Sequence, residues 1–172
     1  MNNDELLDKL KNFINDVSFQ QVKLLKVNFE ASENLSGVYQ DGMINRQWAF
    51  NSTQMSIGKT YDNKGNEMTV ASGSYTFNLT EKLVEGEEVE KLKESKSPGE
   101  LEIKYELNYK LILFLKNETI FMKESDDIKK EILKAFYERS GKIIVFPYIR
   151  HLVDTLSREA GFLTPSIPPL IF

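Results

Sequence analysis

The sequence of 172 residues has no cysteine, one histidine and one tryptophan. The absence of cysteine excludes a disulfide framework, a thiolate zinc site and a cysteine nucleophile, and it is compatible with a reducing cytoplasm. The single histidine, His151, leaves the chain poorly provided for enzyme chemistry. These shortages direct attention away from catalysis and towards binding.

An excess of positive charge and long apolar runs are also lacking. Lysine and arginine number 22 against 26 acidic residues, which gives a net charge of −4 and argues against a nucleic-acid partner. The longest mostly apolar run, Leu111–Leu115, is too short to span a bilayer, and residues 1–17 carry four acidic side chains where a signal peptide would be apolar. We therefore expect a cytoplasmic protein that does not insert directly into a membrane.

Three residue groups resemble enzyme motifs without fulfilling them. His151, Asp154 and Ser157 follow one another on a single helical face, whereas a hydrolase triad converges from separate elements. Gly58-Lys59-Thr60 lacks the preceding glycine of a phosphate-binding loop. Asp126-Asp127 with Glu124 could attract a divalent ion, but two acidic residues before an apolar period are typical of a helix start. We expect no enzymatic activity, no metal site and no cofactor.

The clearest local pattern is a strict alternation over residues 101–115. All odd positions are apolar, and polar residues occupy the even positions from Glu102 to Lys110. A period of two predicts a long strand with one buried face. Ile112 and Phe114 make the end of this strand apolar on both faces, so we expect that part to be covered on both sides.

Weaker patterns predict the other elements. In residues 19–31, Val22 and Leu24 are out of phase with Leu25, which predicts a β-bulge. Asp4 is the expected cap of the first helix, and Pro147 is the expected first-turn residue of the last. The sequence predicts helices over 4–17, 126–138 and 146–160, strands over 19–31, 47–61, 68–79 and 119–123, a turn at 62–66, a loop over 34–46 and a mobile, partly helical connection over 81–99.

The last residues of the chain are apolar and stiffened by proline. After Gly161, which is placed to end the last helix, residues 162–172 contain three prolines among mostly apolar side chains. Such a segment either covers an apolar surface or offers one. The sequence leaves both readings open: this tail packs on its own sheet, or it forms a wall for another polypeptide.

The C-terminal region resembles SecB, the bacterial export chaperone family. The matching residues are Phe146-Pro147-Tyr148-Ile149-Arg150 at a helix start, Gly161-Phe162, and Pro168-Pro169-Leu170-Ile171-Phe172. A second match lies in residues 19–31, where Phe29-Glu30-Ala31 is similar to the end of the first strand of that family. The resemblance covers residues 19–31 and 100–172, about half of the chain.

The resemblance implies an α+β fold with an antiparallel sheet of about four long strands and helices on one face. It implies a homodimer or homotetramer that binds unfolded or precursor polypeptides without ATP and passes them to the SecA motor. We expect residues 1–18 to form an N-terminal amphipathic helix and 19–172 a SecB-like domain, with an insertion around 34–66 that is either a loop or a diverged strand.

The resemblance also assigns residues to roles. Glu30 and Glu124 fall on positions that contact the motor, but Lys26 reverses the charge at a third position, and family members usually continue beyond the position of Phe172. Tyr148 and Leu152 are expected at an oligomer interface. The expected peptide-binding residues are Phe162, Leu163, Pro165, Ile167, Pro168 and Leu170.

Two other functions remain open at this stage. One is an adaptor of the same fold that serves a single partner, such as an antitoxin. The other is an enzyme or a small-ligand protein, which would require a closed, well-formed pocket.

Overall fold

The computed structural model describes residues 2–31, 43–85, 102–116, 120–161, 165 and 167. A four-stranded antiparallel sheet carries helices on one face, so the predicted α+β class is confirmed. The strand order is β1-β4-β3-β2. The elements are α1 (Asn3–Asp16), β1 (Val17–Ala31), β2 (Met43–Tyr61), β3 (Glu67–Glu85), β4 (Glu102–Leu115), α2 (Ile120–Lys123), α3 (Asp126–Glu138) and α4 (Ser140–Glu159).

β4 lies in the centre of the sheet and confirms the predicted alternation. Its odd residues from Ile103 to Leu115 are all buried beneath the helices, and its even residues are less buried on the opposite face. β1 and β2, which follow each other in the chain, form the two edges of the sheet. The core therefore lies between the middle strands and the helix layer.

Three buried tyrosines fasten the helices to the sheet. The Tyr75 hydroxyl donates to the carbonyl oxygen of Tyr137 at 2.9 Å, and the Tyr109 hydroxyl donates to that of Tyr148 at 3.2 Å. The Tyr105 hydroxyl shares a 2.7 Å hydrogen bond with Ser157. Because a buried hydroxyl without a partner is costly, these bonds fix where α3 and α4 cross the strands.

An aromatic cluster holds α1 against the remaining helices. Phe13 is fully buried, and its ring centroid lies 4.7 Å from that of Phe121 in α2 and 5.2 Å from that of Phe136 in α3. Lys9 adds an ion pair with Glu124. The side chain of Asn2 caps α1 by accepting a hydrogen bond from the Glu5 amide at 2.8 Å, so the prediction that Asp4 is the cap is wrong.

β1 contains the predicted bulge. The pairing register with β4 shifts between Leu24 and Lys26, which brings Val22 and Leu24 into phase with Val27 on the helix-facing side. We call the opposite side of the sheet the outer face. It carries ion pairs that join neighbouring strands, Lys26 with Glu106 at 2.9 Å and Lys82 with Glu102, and a pair within β4, Lys104 with Glu102.

β2 and β3 are longer than the sequence predicted. β2 begins at Met43, so residues 43–46 belong to a strand and not to the loop, and the segment 43–61 is an edge strand of the sheet. β3 continues to Glu85, so residues 81–85 are strand where a mobile connection was predicted. Long cross-strand pairing extends both strands through polar residues with weak strand signals. The remaining parts of both predictions, 34–42 and 86–99, lie outside the described residues.

The predicted strand over residues 119–123 is wrong. Ile120–Lys123 form the short helix α2, which places Phe121 in the aromatic cluster. β4 is already paired with β1 on one side and β3 on the other, so it offers no free edge to a returning strand. Tertiary packing has therefore overridden the local preference of Ile and Phe for strands.

The last helix begins earlier than predicted. α4 starts at Ser140, so Pro147 lies inside the helix and not in its first turn. The side chain of Pro147 points to solvent, where the helix tolerates the missing hydrogen bond. Gly161 ends the helix as predicted, with a φ of 78° that favours glycine. Helix α3 confirms the predicted bounds of 126–138.

Candidate functional site

Apolar side chains remain exposed along both edges of the helix-bearing face. On the first edge we define the β1 flank as Leu24 and Val27. On the second edge we define the β2 flank as Trp48, Met55 and Ile57. Each of these five residues is at least 36% exposed. Uncovered apolar surface of this kind is typical of a binding face.

Leu24 of the β1 flank lies next to a residue that anchors α4. Leu24 pairs with Tyr109 across the sheet, and the Tyr109 hydroxyl bonds the Tyr148 carbonyl. Tyr148 of α4 is half exposed, and Leu152, one turn further along that helix, is half-buried and packs against the core. Of the two residues predicted at an oligomer interface, Tyr148 is therefore the exposed one, while Leu152 belongs partly to the core.

The β2 flank borders a groove between the sheet edge and α3. This β2–α3 groove has a volume of about 580 Å³ and is lined by Met55, Ser56, Ile57, Asp126, Lys129, Lys130, Leu133 and Lys134. Its floor is apolar, and its rim on α3 is basic. Asp126 is 3.5 Å from Lys129, while Lys130 and Lys134 are exposed.

The predicted tail residues are only partly within the described residues. Pro165 and Ile167 are buried, and Ile167 joins the core cluster. With Arg150, His151 and Asp154 of α4 they line a smaller cavity of about 300 Å³. Phe162, Leu163, Pro168 and Leu170 lie outside the described residues, so the structure does not place the tail as a groove wall.

Glu30 and Glu124 lie at opposite ends of β1. Glu30 is on the outer face near the end of that strand and pairs across the sheet with Lys104. Glu124 is held by Lys9 of α1, close to where β1 begins. At about 3.3 Å per residue the length of β1 separates them by roughly 40 Å. The structure therefore does not bring the two predicted motor contacts together.

The residues that resemble parts of enzyme sites have structural contacts in the fold. Ser157 is buried between Tyr105 and the Val153 carbonyl, and Asp154 is bonded to Arg158. Asp126 and Asp127 lie in the first turn of α3, where the helix dipole favours them. Within the described ranges, no group of three or more metal-ligating side chains is found, and no helix is long and apolar enough to cross a bilayer.

The tyrosines beneath α4 have perturbed acidities that follow from their packing. Burial raises the pKa of Tyr109 to about 12. It also raises the pKa of Tyr105 to about 12, although the hydrogen bond with Ser157 opposes this rise. Burial favours the neutral phenol because the phenolate would lose its hydration. These hydroxyls act as structural anchors.

Sequence reasoning missed both flanks. Leu24, Val27, Met55 and Ile57 are ordinary apolar strand residues, and nothing in a linear sequence shows that the helices do not cover them. A partial signal was available in α3, where Lys129, Lys130 and Lys134 recur on one side of a helix with Leu133. Combining that basic rim with a strand from the other half of the chain required the fold.

Comparisons with known proteins add to this geometry. No protein-family model matches the sequence, and no curated protein is detectably similar to it. Among solved structures, the chain matches the SecB-like chaperone Rv1957 of Mycobacterium tuberculosis, in complex with a ChAD peptide from the antitoxin HigA1 (Rv1956). The sequences are 10% identical, the TM-score is 0.58, and the match covers 95% of this chain and 98% of that one. The chain has the SecB-like fold.

The SecB-like fold confirms what the residues around Phe146-Pro147-Tyr148 predicted about architecture. In this chain segment 43–61 is an edge strand of the sheet. At 10% identity the likeness concerns the fold. The function must be argued from the surfaces described above.

Proposed function

We propose that this protein is an ATP-independent chaperone of the cytoplasm, a holdase that binds unfolded polypeptides. The observation that carries the proposal is the exposed apolar surface on both edges of the helix-bearing face, the β1 flank and the β2 flank. Both flanks lie beside a well-packed core, in which Leu107, Leu111 and Phe77 of the same sheet face are completely buried. Binding unfolded chains requires such accessible apolar surface on a rigid frame.

The structural neighbour supports the same kind of activity. That neighbour is a SecB-like chaperone in complex with an antitoxin peptide, so a protein with this fold holds a peptide. Shallow apolar edges suit promiscuous recognition, since affinity comes from burying varied side chains instead of matching precise polar groups. The cluster of cross-strand ion pairs on the outer face would keep the free chaperone soluble.

Roles for individual residues complete the proposal. Tyr148 and Leu152 would contact a second copy in a dimer or tetramer. Glu30 and Glu124 would contact the SecA motor during export. The tail residues Phe162, Leu163, Pro165, Ile167, Pro168 and Leu170 would wall the site when a client is bound, which for Pro165 and Ile167 requires release from their buried positions.

The proposal is tested by the aggregation of a chemically denatured client after dilution. At equimolar amounts and without nucleotide, the purified protein should lower light scattering and keep the client in solution. An unrelated acidic protein of similar size is the control. Scattering that is unchanged at several-fold excess would refute the holdase proposal.

A second candidate is an adaptor dedicated to one partner, and the antitoxin peptide on the structural neighbour favours it. Affinity purification from the native host separates the two functions. A holdase should capture a spread of non-native or precursor proteins, whereas an adaptor should capture one partner in near-stoichiometric amounts.

A further inference from the structure

The β2–α3 groove combines an apolar floor with a basic rim. Met55 and Ile57 from the edge strand face Leu133 from α3, and three lysines of α3 surround them, with Asp126 as the one carboxylate in the lining. The whole chain carries a net charge of −4. The charge of the groove lining is therefore opposite in sign to the net charge of the whole protein.

Two of the three lysines, Lys130 and Lys134, are available to an incoming ligand. Lys130 is 4.0 Å from Asp127, and both side chains are almost fully exposed, so this pair is weak. Among the described residues Lys134 has no carboxylate partner. Lys129 is half-buried at the groove, where its methylene groups extend the apolar lining and its ammonium group faces Asp126.

The adjacent strand favours side-chain docking over strand addition. The register between β2 and β3 shifts between Ser52 and Met55, which places an irregularity directly beside the groove. A bulged edge is a poor template for pairing with another strand. The ligand should thus insert an apolar side chain while its backbone passes over the lysines.

We propose that the β2–α3 groove selects segments of client polypeptides in which a bulky apolar residue is flanked by aspartate or glutamate. The inference deepens the proposed holdase function and rests on it. Apolar burial supplies most of the affinity, and the lysines supply the preference through charge complementarity. A groove of about 580 Å³ has room for one or two large side chains.

Three synthetic peptides test the preference. They share a Leu-Phe-Leu core and differ only in their flanks, which are Glu and Asp, Gln and Asn, or Lys and Arg. Fluorescence anisotropy at low salt should show the acidic peptide binding about tenfold more tightly than the basic one, as expected for two or three exposed charge contacts. The difference should shrink as salt is added, because exposed charges are screened.

Matched variants locate the effect. Lys130→Glu with Lys134→Glu should abolish or reverse the ranking. Lys23→Glu with Lys64→Glu changes the net charge by the same amount at exposed positions elsewhere, and it should leave the ranking intact. Met55→Ser with Ile57→Ser should weaken the binding of all three peptides. This result would distinguish insertion of an apolar side chain into the groove from attraction to the lysines alone.

The outcomes separate this inference from the proposed function. Equal binding of the three peptides, or a preference that survives in the Lys130→Glu/Lys134→Glu variant, overturns the inference while aggregation suppression can still hold. If the protein suppresses aggregation but binds none of the peptides, the groove is not the client site and the inference is overturned. If it neither binds the peptides nor suppresses aggregation, both proposals fail.

Discussion

Two glycines set the distance between the helix layer and the sheet. A side chain at Gly73 would overlap the ring of Tyr137, and one at Gly141 would overlap the Tyr75 hydroxyl. Both tyrosines are buried, so neither ring can move aside without disturbing its neighbours. At these positions glycine is required by close approach and not by backbone conformation.

Gly141→Ala should therefore destabilise the fold even though alanine favours helices. We expect overpacking to lower the free energy of unfolding by about 1–3 kcal/mol, measured by urea denaturation. Gly58→Ala is the control, because nothing lies within 4 Å of the added methyl group. The penalty should be smaller in a Tyr75→Phe background, where the overlapping hydroxyl is absent. Equal stability of Gly141→Ala and wild type would contradict the packing of α4.

The buried tyrosines predict a loss of stability at high pH. Their pKa is raised in the folded state, to about 12 for Tyr105 and Tyr109, so folding favours the neutral phenol. This contribution is complete below the unfolded pKa of about 10 and is lost as the pH rises towards 12. The urea midpoint should fall across that interval.

Single substitutions assign this pH dependence. Tyr109→Phe removes one of the titrating groups and should make the decline shallower, whereas Tyr61→Phe removes an exposed hydroxyl and serves as the control. A decline that is identical in both variants would show that other groups cause it.

At the scale of elements, α1 depends on one aromatic side chain. Phe13→Ala would leave a cavity between Phe121 and Phe136 and should cost about 3–5 kcal/mol of stability. Leu7→Ala on the exposed side of the same helix should cost far less. The measurement for both variants is the hydrogen-exchange rate of the α1 amides, which should rise more in Phe13→Ala than in Leu7→Ala. Similar exchange in the two would mean that α1 is held by something other than this cluster.

The elements also show what sequence reasoning can and cannot provide. The alternation in residues 101–115 predicted β4 and its buried face, because a half-buried strand leaves a signature with a period of two. The strand predicted over 119–123 failed because its apolar residues fit a strand or a helical turn equally well. Only the pairing of β4 on both sides decides between them. The predicted start of the last helix was also wrong. An exposed proline is tolerated inside α4, so Pro147 does not mark its first turn.

At the scale of the whole molecule, the exposed half of Tyr148 predicts self-association. Light scattering should give a mass that is a multiple of 19.9 kDa, and a value near 80 kDa would indicate four chains. Tyr148→Glu should lower that mass because a carboxylate would be buried at the interface. Tyr61→Glu changes an exposed tyrosine on the opposite edge strand and should not lower it. A wild-type mass of 19.9 kDa would exclude stable assembly.

The binding surfaces illustrate the limit of prediction at this scale. The C-terminal motifs indicated the fold, yet the proposed client surfaces lie on β1 and in the groove between β2 and α3, and these last two elements are far apart in sequence. Whether the helices cover an apolar strand residue is a property of the assembled fold, so no local sequence pattern encodes it.

The most direct test of the account uses Trp48, the single tryptophan, which lies on the β2 flank and is partly exposed. Binding of an unfolded client that has no tryptophan should shift the emission of Trp48 to shorter wavelength and reduce the quenching of Trp48 by acrylamide. Both changes should follow the suppression of aggregation as the client concentration is varied. Suppression of aggregation with unchanged Trp48 emission and quenching would contradict the claim that the uncovered sheet edges bind the client.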